Sequence, residues 1–209
     1  MRCLELLPIA TNTFFGRESE LSSIMDLLDP AKIGQKGMVI YGMPGSGKTQ
    51  LALRYIERHH NVFTSVFWIT ASSPETASSS FSEAAALITS AWPPMDLPNP
   101  YRDHDDRQRV ISRLRSTLHR NWLLIIDSAD DVYGQDFTQY IPTCQHGSIL
   151  VTSTRKEAVE VFGMESQEIG SLDPKDSQQL LLSRLRNTRI HTSSALPISI
   201  EGMKSTAHL

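Results

Sequence analysis

The sequence predicts an α/β fold: a three-layer α/β/α sandwich around a mainly parallel five-stranded sheet. Three observations carry this. Short apolar runs alternate with stretches of helical period, the pattern of a sheet covered on both faces. A glycine-rich loop, Gly42-Met43-Pro44-Gly45-Ser46-Gly47-Lys48-Thr49, joins one such run to one such helix. A further run, Leu123-Leu124-Ile125-Ile126, ends in Asp127.

Taken in order, Glu18 to Leu28 places Leu21, Ile24, Leu27 and Leu28 at helical spacing, and Asp29-Pro30 stops it. Gly37 to Tyr41 reads as a buried strand, and Lys48 to His60 as a helix with Leu51, Ala52, Tyr55 and Ile56 on one side. Ser65 to Thr70 is a second strand, rich in β-branched and aromatic residues. The Ser-rich stretch Ser72 to Ser82 leads into a stripe of Phe81, Ala84, Ala85, Leu87 and Ile88, which predicts a helix with a frayed, polar beginning. Trp92 to Asp106, with four prolines and four aspartates, predicts an exposed loop. Arg107 to Arg120 follows as a helix with Val110, Leu114 and Leu118 on one face. Trp122 to Ile126 and Ser148 to Thr152 are strands, and Glu168-Ile169 ends a fifth. Pro174 to Arg186 is the last helix, with Leu180, Leu181 and Leu185 expected to face inward. From Asn187 to Leu209 no period lasts, so this tail is expected to be poorly ordered or the cut beginning of a further element.

Composition sets the class. At 209 residues, 40% hydrophobic and 21% charged, the chain is expected to be a soluble globular domain, with length to spare for a stub of a second. Such a length buries roughly 70% of the unfolded surface, so the core needs neither metal nor disulfide. Twenty basic against 23 acidic residues leave a net charge of −3, too little to draw nucleic acid or anionic membrane from a distance. No apolar run reaches membrane-spanning length, and Glu5 and Pro8 interrupt the signal-like start MRCLELLPIA. Cys3 and Cys144 stand far apart and outside any metal-ligand spacing, which fits reduced thiols in a cytoplasmic protein. The histidines His59, His60, His104, His119 and His191 show no ligand spacing either.

The glycine-rich loop is the most specific signal. It matches G-x-x-x-x-G-K-[ST] and lies where that pattern works, after a strand and before a helix. Glycines let consecutive backbone N–H groups turn inward on an anion, and the helix N-terminus adds its dipole. Lys48 is then expected to reach the β- and γ-phosphates and the Thr49 hydroxyl to ligate Mg²⁺. Gly42, Pro44, Gly45, Ser46, Gly47, Lys48, Thr49 and Gln50 are the candidate nucleotide contacts. Asp127, at the end of an apolar strand, is the expected second Mg²⁺ partner, although such a residue also serves as a solvated strand end or helix cap. Ser128 follows it where many hydrolytic relatives carry a second acid. Asp130 and Asp131 are near in sequence, but loop residues that far on need not face the γ-phosphate, so binding is better supported than hydrolysis. The run Ser148 to Arg155 brings Arg155 to the carboxyl edge of the sheet, where a guanidinium can sense the γ-phosphate or simply open the next helix into solvent. Lys48, Asp127 and Arg155 are thus the candidate catalytic residues.

Together these motifs resemble the STAND branch of P-loop ATPases, and within it the NB-ARC type of NOD-like receptors, plant resistance proteins and many fungal proteins. The resemblance runs from Phe14 to Leu185. Phe15-Gly16-Arg17-Glu18 is similar to that family's leading motif, which implies Phe15 and Gly16 beside the adenine and Arg17 fixing the nucleotide or the closed state. On sequence alone Arg17-Glu18 reads equally as a charged helix start. Phe67-Trp68-Ile69 is similar to the strand after the loop, Trp122 to Asp131 to the acidic strand, Gly147 to Arg155 to the sensor strand, and Ile169 to Asp173 to the next step into a helix. Ala195-Leu196-Pro197-Ile198 is a degraded echo of the family's Gly-Leu-Pro-Leu motif, and nothing matches the winged helix whose histidine holds ADP.

The resemblance divides the chain into a lead segment (1–13), a nucleotide-binding domain (14–187) and a tail or truncated start of a helical subdomain (188–209). It implies an ATP/ADP-binding switch for signal transduction, needing Mg²⁺, slow or silent in hydrolysis, and able to associate with itself or a full-length relative. No nucleic acid or membrane partner is expected. With half of the usual ADP lock missing, nucleotide exchange is expected to be easy. A steadily turning AAA+-like ATPase, a non-catalytic interaction fragment and, less well supported, a small-molecule kinase are the competing readings.

Overall fold

The computed structural model describes residues 7–91 and 105–193. In chain order these form α1 (Glu18–Leu28), β1 (Lys36–Tyr41), α2 (Lys48–His59), β2 (Ser65–Thr70), α3 (Pro74–Ala91), α4 (Asp106–Arg115), β3 (Trp122–Asp127), a 3₁₀ turn (Phe137–Tyr140), β4 (Ser148–Ser153), α5 (Ala158–Phe162), β5 (Glu165–Glu168) and α6 (Pro174–Ser193). Among the described residues the five strands make one sheet in the order β2-β3-β4-β1-β5. All of its pairings are parallel.

The period of two along each strand separates two cores. Val39, Phe67, Ile69, Leu124, Ile126, Ile149 and Val151 face α3, α4 and α5. Their chain neighbours Met38, Ile40, Val66, Trp68, Leu123, Ile125 and Leu150 face α1 and α2. This is why the strands read as continuous apolar runs: a parallel sheet buries both faces. The far edge differs, since β5 is Glu165-Ser166-Gln167-Glu168 and almost wholly exposed.

Register fixes what matters for the site. Lys36 pairs with Ser148 and Tyr41 with Ser153, so β1 and β4 end level. Leu123 also pairs with Ser148 and Ile126 with Val151, which brings the end of β3 alongside. The loop after β1, the acid ending β3 and the polar end of β4 therefore meet on one edge, with β4 between the other two.

The structure corrects four expectations. The start of α3 is not frayed: Pro74 takes the first helical position, the Ser73 hydroxyl accepts from the Thr76 N–H at 3.3 Å, and the Thr76 hydroxyl accepts from the Ser73 N–H at 3.0 Å. Helix α4 ends at Arg115 rather than Arg120, and Leu118 is 82% exposed. Ser116 turns extended there and its hydroxyl accepts from the Leu118 N–H at 3.4 Å, a local bond that competes with the helix. Leu181 and Leu185 of α6 do not face the core but are 66% and 62% exposed. Finally, α6 runs on to Ser193, past the expected boundary at Arg186, because no glycine or proline interrupts it before Pro197. Of the expected loop at Trp92 to Asp106, residues 92–104 lie outside the described residues, as do residues 1–6, with Cys3, and residues 194–209; Asp105 caps α4 and Asp106 begins it.

Candidate functional site

The loop between β1 and α2 has the backbone its sequence requires. Gly45 and Gly47 sit at φ +80° and +92°, with open space where a Cβ would project. Gly47 precedes α2, whose N-terminus takes no side-chain cap. Four N–H groups at such an end need partners from elsewhere, and an anion is the natural one. The Ser46 hydroxyl is likewise buried without a partner among the described residues. Lys48, only 8% exposed, donates from Nζ to the carbonyls of Gly42 and Met43, both at 2.9 Å. Burial pulls its ammonium below the ordinary lysine range, while Asp130 and Asp127 act against that shift. A buried cation on two neutral carbonyls beside uncapped N–H groups fits a phosphate chain.

The acid side is a closed set of bonds. Asp127 is 6% exposed, and its Oδ1 accepts from the Thr49 hydroxyl at 2.9 Å and from the Thr152 hydroxyl at 2.6 Å. Thr49 and Asp127, the two expected Mg²⁺ partners, are therefore in contact, and their oxygens suit a hard cation that keeps water and phosphate as its other ligands. Immediately after Asp127 the chain reverses through Ser128 at φ +61°, outside the usual range of a non-glycine residue. The Ser128 N–H donates to the Thr152 hydroxyl at 2.9 Å, and the Asp130 N–H donates back to the Ser128 carbonyl at 2.9 Å. This reversal returns Asp130 to the edge, where its Oδ1 accepts from the Thr154 N–H at 2.6 Å and the Ser153 hydroxyl at 3.2 Å. A cavity of about 360 Å³ opens there, lined among others by Gly45, Lys48, Thr49, Ser128, Asp130 and Thr154.

A larger cavity, about 710 Å³, adjoins the other side of the loop. The N-terminal stretch before and into α1's cap (Thr11, Thr13, Phe14, Arg17), residues Met43–Gly47 and Gln50, the turn after β5, and Leu180 and Arg184 of α6 line it. Arg17, itself left-handed at φ +66°, joins these parts. Its guanidinium pairs with Glu20 at 2.8 Å and donates to the carbonyls of Ser46 at 3.3 Å and Gly170 at 2.5 Å. The Thr11 N–H donates to Gln50 Oε1 at 2.8 Å, and Arg184 reaches the Thr11 hydroxyl at 3.4 Å. Phe14 carries the Arg54 guanidinium 5.6 Å from its ring centre.

The structure thus brings together the expected loop residues, Asp127 and Arg17, while the expected Phe15, Gly16 and Arg155 line neither cavity. Phe15 and Gly16, expected beside the base, do not line this cavity; Phe14 does, because consecutive left-handed residues at Gly16 and Arg17 turn the chain. A Cβ on Gly16 would instead meet the Asp176 carboxylate. Arg155 is exposed and lines neither cavity, since Thr152 at the end of β4 and Thr154 just after it face the site and the chain then runs on to α5. Sequence reasoning also missed the cavity-facing position of Asp130. Its signal was its closeness to Asp127; the turn at Ser128 that returns it had none. Arg184 carried no local signal at all.

The profile of the family described as AAA ATPase domain matches residues 13–148. The chain belongs to that family. As an AAA ATPase domain of P-loop type, its fold is similar to that of Cdc6p from Pyrobaculum aerophilum, at TM-score 0.57 and 15% identity over 86% of this chain and 52% of that one. It is also similar to a STAND protein with a tetratricopeptide repeat sensor from Pyrococcus horikoshii, at TM-score 0.53 and 16% identity over 86% of this chain and 27% of that one. Drosophila ORC, in a structure bound to DNA, gives TM-score 0.54 and 13% identity, with 86% of this chain and 49% of that one covered. The chain spans about half or less of the length of each. No curated protein matches it in sequence. Among the described residues no helix is long and apolar enough to cross a membrane.

Proposed function

We propose that this AAA ATPase domain binds ADP or ATP with Mg²⁺ and acts as a nucleotide-dependent switch of the STAND type, with slow turnover. The observation that carries the reading is the cavity lined jointly by the N-terminal stretch, the phosphate loop and α6 beside the phosphate cradle. A nucleotide there would touch three separate parts of the chain at once, and a ligand shifts a conformational equilibrium only through such differential contacts. Lys48 and the Gly45–Gly47 backbone would bind the phosphates, Thr49 and Asp127 would hold the Mg²⁺ and its water, and Phe14 and Arg17 would border the base. The leading motif Phe15-Gly16-Arg17-Glu18 and the fold likeness to the STAND protein support the NB-ARC flavour. In this reading residues 14–187 form the nucleotide-binding unit and 188–209 open a helical subdomain. Its output is association with itself or with a full-length relative in the cytoplasm.

One observation favours a steadily turning ATPase instead: Asp130 lines the phosphate cavity even though Ser128 does not supply an acid. One experiment separates the two. Melting of the full chain is followed with ADP, ATP plus Mg²⁺ and GTP plus Mg²⁺, alongside phosphate release. Ligand at a hundred times its Kd adds about 2.7 kcal/mol. Stabilisation by adenine nucleotides with slow release supports the switch, steady release supports the motor, and no stabilisation by adenine nucleotides overturns both.

A further inference from the structure

We propose that Asp130 is the general base for hydrolysis in this chain, a role that rests on the nucleotide-binding reading above. The residue directly after Asp127 is Ser128, which cannot take up a proton at neutral pH, and Asp127 itself is occupied on Oδ1 by the hydroxyls of Thr49 and Thr152. Asp131 is spent on a turn, accepting from the Gly134 N–H at 2.9 Å, and is exposed. Asp130 is the acid that lines the phosphate cavity among the described residues, in company with Lys48, Thr49 and Thr154. Both of its bonds, from Thr154 and Ser153, fall on Oδ1, and Oδ2 takes none among the described residues. One oxygen anchors the carboxylate to the end of β4, and the other remains for a water molecule.

The step balances. The Asp130 carboxylate takes a proton from water as the water oxygen forms its bond to the γ-phosphorus. The bond from that phosphorus to the β–γ bridging oxygen breaks, its electron pair leaves with ADP, and the proton passes from Asp130 to solvent with release of phosphate. Lys48 and the loop N–H groups neutralise charge on the phosphates throughout. The left-handed Ser128 is the device that makes this possible. It turns the chain so that a carboxylate three positions beyond Asp127 lines the same cavity as Ser128. Strain of this kind persists where surrounding bonds hold it, here those of Thr152 and Asp130.

The variant Asp130→Asn tests this cleanly, because the amide oxygen can still accept from Thr154 and Ser153 while the base is lost. Wild type, D130N and D130E are compared as full chains by phosphate release, by thermal shift with ADP, and by the identity of the nucleotide retained after loading with ATP plus Mg²⁺ and desalting. The expectation is a loss of about 100-fold or more in phosphate release for D130N, the usual scale of general-base removal. Its ADP shift should be unchanged, with retained ATP where wild type retains ADP, and D130E should recover part of the rate. D130N turning over within about threefold of wild type overturns the proposal. Loss of the ADP shift in D130N overturns it too, in favour of a structural peg. Wild type that binds nucleotide but never converts ATP also overturns it, yet leaves the switch reading standing. Wild type that binds no adenine nucleotide sinks the reading itself.

Discussion

The two ends of the nucleotide site are built on different principles. At the phosphate end Lys48, Asp127, Thr152 and Ser153 are all buried and bonded to one another or to the backbone. At the base end the N-terminal stretch meets α2 through a hydrogen bond from Thr11 to Gln50 and through Phe14 under the Arg54 guanidinium, meets α6 at 3.4 Å through Arg184, and is pinned to the loop by Arg17. Helix α6 leaves Leu181 and Leu185 largely in solvent. The phosphate end is held by a closed set of buried bonds and loses little freedom on binding, whereas the other end is joined by sparser polar contacts and by apolar packing of Leu7, Ala10 and Phe14 on the core beside α1 and α2. In the proposed switch, binding strength would belong to one end and conformational response to the other.

That contrast can be broken or sharpened by substitution, beginning with the largest effect. Lys48→Ala should abolish nucleotide stabilisation, more than about 100-fold in affinity, while leaving the fold, since Nζ bonds only loop carbonyls. Unchanged ADP affinity by calorimetry would remove the phosphate assignment. Asp127→Asn should lower Mg²⁺-dependent ATP affinity about 10- to 100-fold, the scale for residues that orient a metal's water shell. Equal loss with and without Mg²⁺ would instead mark Asp127 as a peg for Thr49 and Thr152. Arg17→Ala removes a nearly buried guanidinium with three partners and should cost about 1.5 kcal/mol of stability without nucleotide. A melting point equal to wild type would mean that the two ends are not mechanically joined. The smallest change is Gln50→Ala, which frees the Thr11 N–H and should cost about 1 kcal/mol. Hydrogen exchange should localise its effect to the lead segment, and protection lost instead around Asp127 would erase the distinction between the ends.

The same contrast explains what could be read in advance. The strands and the phosphate loop were legible because each is specified within a few residues: doubly buried strands demand unbroken apolar runs, and the loop demands glycine, lysine and threonine at fixed spacing. Asp127 followed from both. Each end also depends on a backbone turn at a residue with no preference for it. Arg17 and Ser128 are left-handed without being glycine or asparagine; Phe14 rather than Phe15 lines the larger cavity, and Asp130 joins Ser128 in the smaller one. The leucines of α6 misled for another reason: their spacing is helical, but helical spacing does not say which neighbour, if any, a stripe meets.

The strand order has a kinetic consequence. The phosphate cavity takes its lining from residues near 45, 128 and 153, carried by β1, β3 and β4, and in the sheet β4 separates the other two. These segments meet only once distant parallel pairings have closed, which is the slow part of folding for such a topology. No partly paired intermediate contains the complete cradle. Bound nucleotide is therefore expected to slow unfolding and leave the rate of folding almost untouched, so that its protection appears as a longer lifetime of the folded chain.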